Sequence, residues 1–257
     1  MPDSLWQQQD VCRRDEWLAG SGQQISRSGW KRKEIFLKPV CKICRGDTTL
    51  IKKQSRKPEL RRLYWRCLNC DFIFMDDRFI LTPEQEISIY ENHENSIDDP
   101  EYVAYFSRFI EHAILNHKRT ENPVCLDFGS GPEPVLAQIL RQQFGWQADI
   151  YDKFYAADTT YIGKTYDLIT STEVAEHLDD PMHYFRLFKK LLNPGGILAV
   201  MTLLHPSDDE AFKRWFYIRD MSHISFYSRR TMQQIAADLD LDIVYCDGHR
   251  HITFAAR

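Results

Sequence analysis

Val124-Cys125-Leu126-Asp127-Phe128-Gly129-Ser130-Gly131 decides how this 257-residue chain is read. A short apolar run ending in an acid and two closely spaced glycines reads as a buried strand that breaks into a turn. Glycine there lets the backbone take a positive φ and approach a ligand closely. Outward from this stretch the pattern alternates. Val135 to Phe144 reads as a helix, Ala148 to Tyr151 as a second strand ended by Asp152, and Tyr166 to Thr170 as a third. Pro181 to Leu192 is the next helix, stopped by Asn193-Pro194-Gly195-Gly196, and Ile197 to Thr202 the next strand. Arg230 to Leu239 closes the helices, and Asp242–Tyr245 with Ile252–Ala255 forms a final hairpin. Strand and helix in alternation predict an α/β fold, Rossmann-like, with a mostly parallel sheet and helices on both faces.

Composition supports one main domain with a small annex. The chain is 43% hydrophobic and 27% charged, which is enough for a core. Thirty-three Lys and Arg against 37 Asp and Glu leave a net charge of −4, which disfavours a globally basic nucleic-acid binder. No apolar run approaches the roughly 18 residues of a spanning helix. The polar, Gln-rich start lacks an apolar signal core, so the chain is expected to be soluble and cytoplasmic, without membrane partners.

Four of the seven cysteines fall in two C-x-x-C pairs, Cys41/Cys44 and Cys67/Cys70, with 22 residues between them. Two such knuckles present four thiolates, the donor set of a closed, structural zinc site. Four unrelated buried thiols are the plainer alternative. Cys12 stands alone, and Cys125 and Cys246 read as core residues. The predicted organisation is an extension (1–38), a zinc-ribbon-like module (39–80), a helical linker or lid (81–121) and the α/β domain (122–257). The extension carries Trp6, Trp17 and Trp30. Between the knuckles lie Lys52, Lys53, Arg56, Lys57, Arg61, Arg62 and Arg66, with Tyr64 and Trp65 interleaved. That stretch is either a solvated hairpin, the favoured reading, or a grip for RNA. Thr82-Pro83-Glu84 opens a helix to about Asn92, and Asp98-Asp99-Pro100-Glu101 opens another with apolar spacing of three and four.

Asp152 lies 25 residues after Asp127, at the end of the second strand, where a carboxylate can accept two ribose hydroxyls. With this, the chain resembles the class I S-adenosylmethionine-dependent methyltransferases. The likeness rests on Val124–Gly131, Asp152, Tyr166-Asp167-Leu168-Ile169, Glu173-Val174-Ala175-Glu176-His177-Leu178 and Leu191-Leu192-Asn193-Pro194-Gly195-Gly196-Ile197-Leu198, within roughly residues 122–257. It implies S-adenosylmethionine as cofactor. Asp127, Phe128, Gly129, Ser130 and Gly131 would shape the methionine end, Asp152 would hold the ribose and Phe154 would flank the adenine. Ser171, Thr172 and Glu173 would close the pocket, with the segment of Tyr90, Asn92 and His93 folding over the donor as a lid. Pro132-Glu133 replaces a third glycine common among relatives, and the short 153–165 segment abbreviates the usual second helix and third strand. A dinucleotide dehydrogenase is the rival, disfavoured by the missing G-x-G-x-x-G.

Glu173, Glu176 and His177 sit at i, i+3 and i+4, which on a helix would share a face. With the later His223 they resemble the metal-binding group of quinol O-methyltransferases and small-RNA 3′-end methyltransferases. That likeness makes Glu173, Glu176, His177 and His223 candidate ligands of a second divalent metal. Glu176, His177 and His223 are also the candidate catalytic residues, an imidazole serving as base. The 203–228 insertion, with His205, Trp215, Tyr217, Arg219 and Tyr227, is expected to form the acceptor pocket, while Phe212, Trp215 and Phe216 are expected to be core. His249 and His251 are expected at the surface or the pocket rim. The expected activity is methyl transfer to a small-molecule acceptor at oxygen. RNA methylation and an inactive zinc-dependent adaptor are the alternatives.

Overall fold

The computed structural model describes residues 38–53, 62–90 and 96–257. The extension with Cys12 and its tryptophans, the hairpin tip with Arg56, Lys57 and Arg61, and the lid residues Asn92 and His93 lie outside the described residues. Residues 38–257 pack as one compact unit. The divisions expected near residues 80 and 121 are therefore not breaks in packing.

Six strands form the main sheet: β4 (Val124–Phe128), β5 (Gln147–Tyr151), β6 (Tyr166–Thr172), β7 (Leu192–Met201), β9 (Leu241–Cys246) and β10 (His251–Ala256). Their order is β5-β4-β6-β7-β10-β9. The first four are parallel, and β10 runs antiparallel to both its neighbours. Period-two alternation sends β7 side chains to two cores. Leu198 and Val200 join Phe185, Phe188, Met232 and Ile235 on one face. Ile197, Ala199 and Met201 join Phe106, Phe109, Val135 and Leu136 on the other. The first face is covered by α4 (Pro181–Leu191) and α6 (Arg229–Asp238), the second by α2 (Pro100–Phe109) and α3 (Val135–Phe144). β7 begins at Leu192, earlier than expected, because Leu192 already pairs with Tyr166. Gly196 permits this register: a Cβ there would lie 3.0 Å from the carbonyl oxygens of Asn193 and Tyr166. Residues 153–165 form only turns and one bridge, so β5 is an edge strand.

The expected caps are present. Asp99 accepts from the N–H groups of Glu101 and Tyr102 at the start of α2. Thr82 and Gln85 bond reciprocally ahead of α1 (Pro83–Tyr90). Ser228 and Thr231 do the same for α6, which starts one residue early as a result.

The cysteine segment builds a second, antiparallel sheet. β1 (Thr48–Lys53), β2 (Arg62–Cys67) and β3 (Ile73–Met75) continue into β8 (Ser225–Phe226) from the far end of the chain. Ile73 pairs with Phe226, and Phe74 with Ser225. Between this sheet and the insertion lies a third core of Ile51, Tyr64, Ile73 and Met75 against Phe212, Tyr217, Ile218 and Phe226. Arg66 ties the two further, donating to Asp71 at 2.7 Å and to Asp209, at the start of α5 (Asp209–Arg214), at 2.8 Å.

Several expectations for side chains change here. Tyr64 and Trp65 are buried at 0% and 4% exposure, so neither can stack on a base. His205 is buried, with Nε2 2.8 Å from the Asp71 carbonyl, and pins the insertion to a knuckle rather than lining a pocket. Tyr227 is core, its hydroxyl donating to the Ala175 carbonyl. Arg219 is exposed. Phe212 is core and Trp215 half-buried, but Phe216 is 59% exposed, because the chain leaves α5 and enters a 3-10 turn (Phe216–Arg219) that breaks the helical spacing. His251 is buried against Phe109 because it lies within β10 rather than in the turn before it. Cys125 is core as expected, while Cys246 is half-buried.

Candidate functional site

The donor side is built at the carboxyl ends of β4 and β5. Gly129 has φ +85°, and its N–H donates to the Tyr151 carbonyl at 2.7 Å. A Cβ on Gly129 would lie 2.1 Å from Cγ2 of Val174, so the glycine turn rests directly on the segment after β6. Asp152 accepts from Gly131 N–H through Oδ2 (3.0 Å), and from Phe154 and Tyr155 N–H through Oδ1 (2.8 and 3.1 Å). Three backbone donors fix the carboxylate's direction. Oδ1 uses both of its lone pairs in this way, and Oδ2 retains one for a hydroxyl. Phe154 is half-buried, its ring centroid 5.9 Å from that of Tyr90 on α1. Thr172 ends β6, nearly buried. Ser130 is half-buried in the turn.

Two residues expected to shape the pocket hold it from behind. Phe128 points into the core, 4.7 Å from Tyr151 and 4.9 Å from Phe188 between ring centroids, because strand alternation sends it inward. Asp127 is 2% exposed and accepts from the Thr170 hydroxyl at 2.9 Å. Burial pushes its carboxyl up to about 6, against the pull of Thr170 and of the Ala137 N–H. An acid whose folded pKa lies above its unfolded value contributes stability at low pH, lost as pH rises through the folded value. The advantage of Asp127→Asn over the wild type in urea unfolding is therefore expected to grow by about 1 kcal/mol between pH 5 and pH 8. An equal difference at both pH values would show that Asp127 is not the group involved.

The acid–histidine segment differs from the expected helical face. Ala175–His177 is a short 3-10 turn, and Glu173 precedes it with φ +53°. Glu173 therefore does not stack with the other two. Its Oε1 accepts from Tyr105 of α2 (2.7 Å), and its Oε2 lies 3.1 Å from the hydroxyl oxygen of Tyr217 in the insertion. Arg250 in turn donates to the Tyr105 hydroxyl at 2.8 Å. Burial and the Glu176 charge push the Glu173 carboxyl up to about 7.

Glu176, His177 and His223 do converge: one ligand atom from each lies within 4.8 Å of the others. Glu176 is fully buried; Oε1 accepts from the Tyr217 hydroxyl at 2.5 Å, and Oε2 makes no hydrogen bond of normal geometry among the described residues, with the Thr202 hydroxyl near the carboxyl. His177 Nδ1 lies 3.1 Å from the Ser222 carbonyl and 2.9 Å from the Tyr90 hydroxyl. A carbonyl only accepts, so Nδ1 carries the proton and Nε2 presents a lone pair. His223 repeats this, with Nδ1 donating to the Tyr217 carbonyl at 2.8 Å. Burial and the neighbouring His223 pull the His177 imidazole down to about 4. Asp220, bonded to Ser222, brings a carboxylate oxygen to 3.7 Å from His223 Nε2. Tyr90 also donates to Glu86, which pairs with Lys153, so α1 is latched over the site by polar contacts.

The four cysteines gather as expected from their spacing, with the Sγ atoms of Cys41 and Cys70, and of Cys44 and Cys67, 3.5 Å apart. Four sulfurs at about 2.3 Å from one zinc lie just under 4 Å apart, so the cluster fits that ion. The knuckles mirror each other. Each ends in a left-handed residue, Arg45 (φ +62°) or Asp71 (φ +67°), and backbone N–H groups of Ile43, Asn69 and Cys70 point at sulfur.

Tyr105, Asp220 and Arg250 were not visible as site residues in the sequence. Each joins through tertiary contact alone, and only the helical spacing of α2 gave any sign that Tyr105 faces inward.

A parallel sheet carrying a glycine turn, an acid at the next strand end and an acid–histidine cluster beside them defines the architecture of the S-adenosylmethionine-dependent methyltransferases. The chain belongs to the methyltransferase domain family, whose profile matches residues 101–245. It is similar to ubiquinone biosynthesis O-methyltransferases: 34% identical over 68 residues to that of Cereibacter sphaeroides (26% of this chain, 27% of the relative). To that of Ruegeria pomeroyi it is 35% identical over 80 residues (31% of this chain, 32% of the relative). The matches thus span about a quarter to a third of the length of these relatives. Among solved structures it is similar to an O-methyltransferase family protein from Burkholderia thailandensis, with 14% identity, TM-score 0.46, and coverage of 60% of this chain and 55% of that one. For a putative methyltransferase from Bacillus halodurans the identity is 12% and the TM-score 0.42, covering 59% of this chain and 95% of that one.

Proposed function

We propose that the protein transfers a methyl group from S-adenosylmethionine to an oxygen of a small-molecule acceptor, with a structural zinc on Cys41, Cys44, Cys67 and Cys70. The observation that carries this is the contact between the glycine turn at Gly129 and the segment bearing Glu173, Glu176 and His177. Donor seat and acid–histidine cluster are neighbours. The names of the ubiquinone biosynthesis relatives support oxygen as the methylated atom.

The cluster also suits a divalent cation. Two imidazole nitrogens with lone pairs and a buried carboxylate oxygen converge there, a donor set of the kind such a cation takes. A cation bound by Glu176, His177 and His223 would supply Lewis acidity, easing loss of the acceptor's hydroxyl proton. Glu173 accepts from Tyr105 and does not converge with the other three, so it drops out of the four-ligand set expected from sequence. The chain's own residues then place the acceptor. Ser222 and Tyr90 orient His177, Tyr217 orients His223, and α1 is held beside the cluster through Tyr90. In the transfer, the acceptor's hydroxyl releases its proton to water, the carbon–sulfur bond breaks as the carbon–oxygen bond forms, and the sulfonium loses its charge. The donor is intrinsically reactive, so alignment contributes most of the gain.

Calorimetry on the zinc-loaded protein is expected to show one saturable site for S-adenosylmethionine. Labelled donor with a metabolite extract is expected to give a labelled small molecule, lost in Glu176→Ala, and no labelled product with total RNA. Absence of donor binding would overturn the assignment.

A further inference from the structure

We propose that Tyr217 is a positioning residue, holding Glu176 and His223 together in the arrangement that a divalent cation requires. The inference rests on the methyltransferase reading and deepens it. Tyr217 acts through two different groups. Its hydroxyl donates to Glu176 Oε1 at 2.5 Å and lies 3.1 Å from Glu173 Oε2. Its main-chain carbonyl accepts from His223 Nδ1 at 2.8 Å, and the two rings lie 4.1 Å apart between centroids. The two ligands come from distant parts of the chain, Glu176 from the turn after β6 and His223 from the insertion. One buried residue bonds to both.

The hydroxyl has a single proton to give, and the short bond commits it to Glu176. Oε1 is thereby fixed, and Oε2 is left without a hydrogen bond of normal geometry among the described residues, on a residue of zero exposure. The carbonyl bond sets the tautomer of His223, which leaves Nε2 bare. Tyr217 itself is anchored from outside the cluster. Its ring lies 4.9 Å from that of Trp215, and its neighbour Ile218 is buried in the third core beside Phe212. An ordinary core tyrosine needs one partner for its hydroxyl; this one spans two carboxylates and orders an imidazole.

The test uses the zinc-loaded full chain and manganese(II) as the probe, with free ion followed by electron paramagnetic resonance. Tyr217→Phe keeps the ring and the carbonyl and removes only the hydroxyl. It is expected to weaken manganese binding about tenfold or more, in line with loss of a ligand-orienting partner, while zinc content and melting temperature stay near wild type. His223→Ala is expected to abolish the binding. Glu173→Gln, which changes a residue outside the ligand set, is expected to weaken it far less than Tyr217→Phe does. Tyr217→Phe binding manganese within a factor of about two of wild type, well below the tenfold loss named above, would overturn the proposal. So would a wild-type protein that binds S-adenosylmethionine but no manganese. Failure to bind S-adenosylmethionine would instead strike the methyltransferase reading, so the two failures are separable.

Discussion

Cys67→Ser is expected to lose zinc and, with it, the acceptor half of the site. The cysteine segment has little core of its own and shares what it has with the α/β domain and the insertion. Binding of a structural zinc is worth about 10–16 kcal/mol in small peptides, a stabilisation that three short strands cannot replace. The damage should travel. β8 is the fourth strand of the cysteine-bearing sheet, and His223 lies just before it. Ile224 N–H donates to the Glu176 carbonyl while its own carbonyl accepts from Met75 N–H, both at 2.8 Å. The segment that carries His223 is thus held between the turn bearing Glu176 and β3. Metal analysis should fall from about one zinc per chain to well below that stoichiometry. The melting temperature should drop by more than about 10 °C, given the few degrees per kcal/mol typical of a domain this size. Methyl transfer should disappear. A variant that stays zinc-loaded and melts like the wild type would show that the four sulfurs are not the ligand set.

Gly129→Ala is expected to abolish donor binding while leaving the fold largely intact. Two costs coincide. Alanine at φ +85° is strained, and its Cβ would overlap Cγ2 of Val174 at 2.1 Å. Together these amount to roughly 2–5 kcal/mol, or a loss of about thirtyfold or more in affinity if the turn yields instead of the strands. Val174 follows Glu173, itself left-handed, so the opposing wall has little freedom to retreat. Adding Val174→Ala removes the overlap but not the backbone strain, and should recover part of the binding. Calorimetry with S-adenosylmethionine reads all three proteins. A single variant that binds like the wild type would show that the turn does not border the donor.

The strands and helices of the α/β domain were legible because their apolar periods are clean and their ends carry Asp99, Pro181, Ser228 and the Asn193–Gly196 stop. The cysteine cluster was legible from spacing alone. Three features were not. The pairing of β3 with β8 joins a three-residue and a two-residue strand some 150 positions apart, and neither has a pattern that distinguishes it from a loop. The fate of Glu173 was hidden because i, i+3, i+4 reasoning presumes a helix, whereas the segment turns through a left-handed residue first. The aromatics of β2 resembled a nucleic-acid face because a basic hairpin looks the same whichever side its rings occupy. In the fold both rings are buried, Tyr64 against the insertion and Trp65 in the main core.

The late arrival of Ser225 and Phe226 has a consequence for synthesis. As the ribosome releases the chain, Ile73-Phe74-Met75 emerges with one edge paired to β2 and the other bare. That edge is short, apolar and free to recruit another nascent copy until the last fifth of the polypeptide appears. With the proposed zinc, knuckles that load metal early would keep those strands folded while they wait, and yield would follow zinc supply during translation.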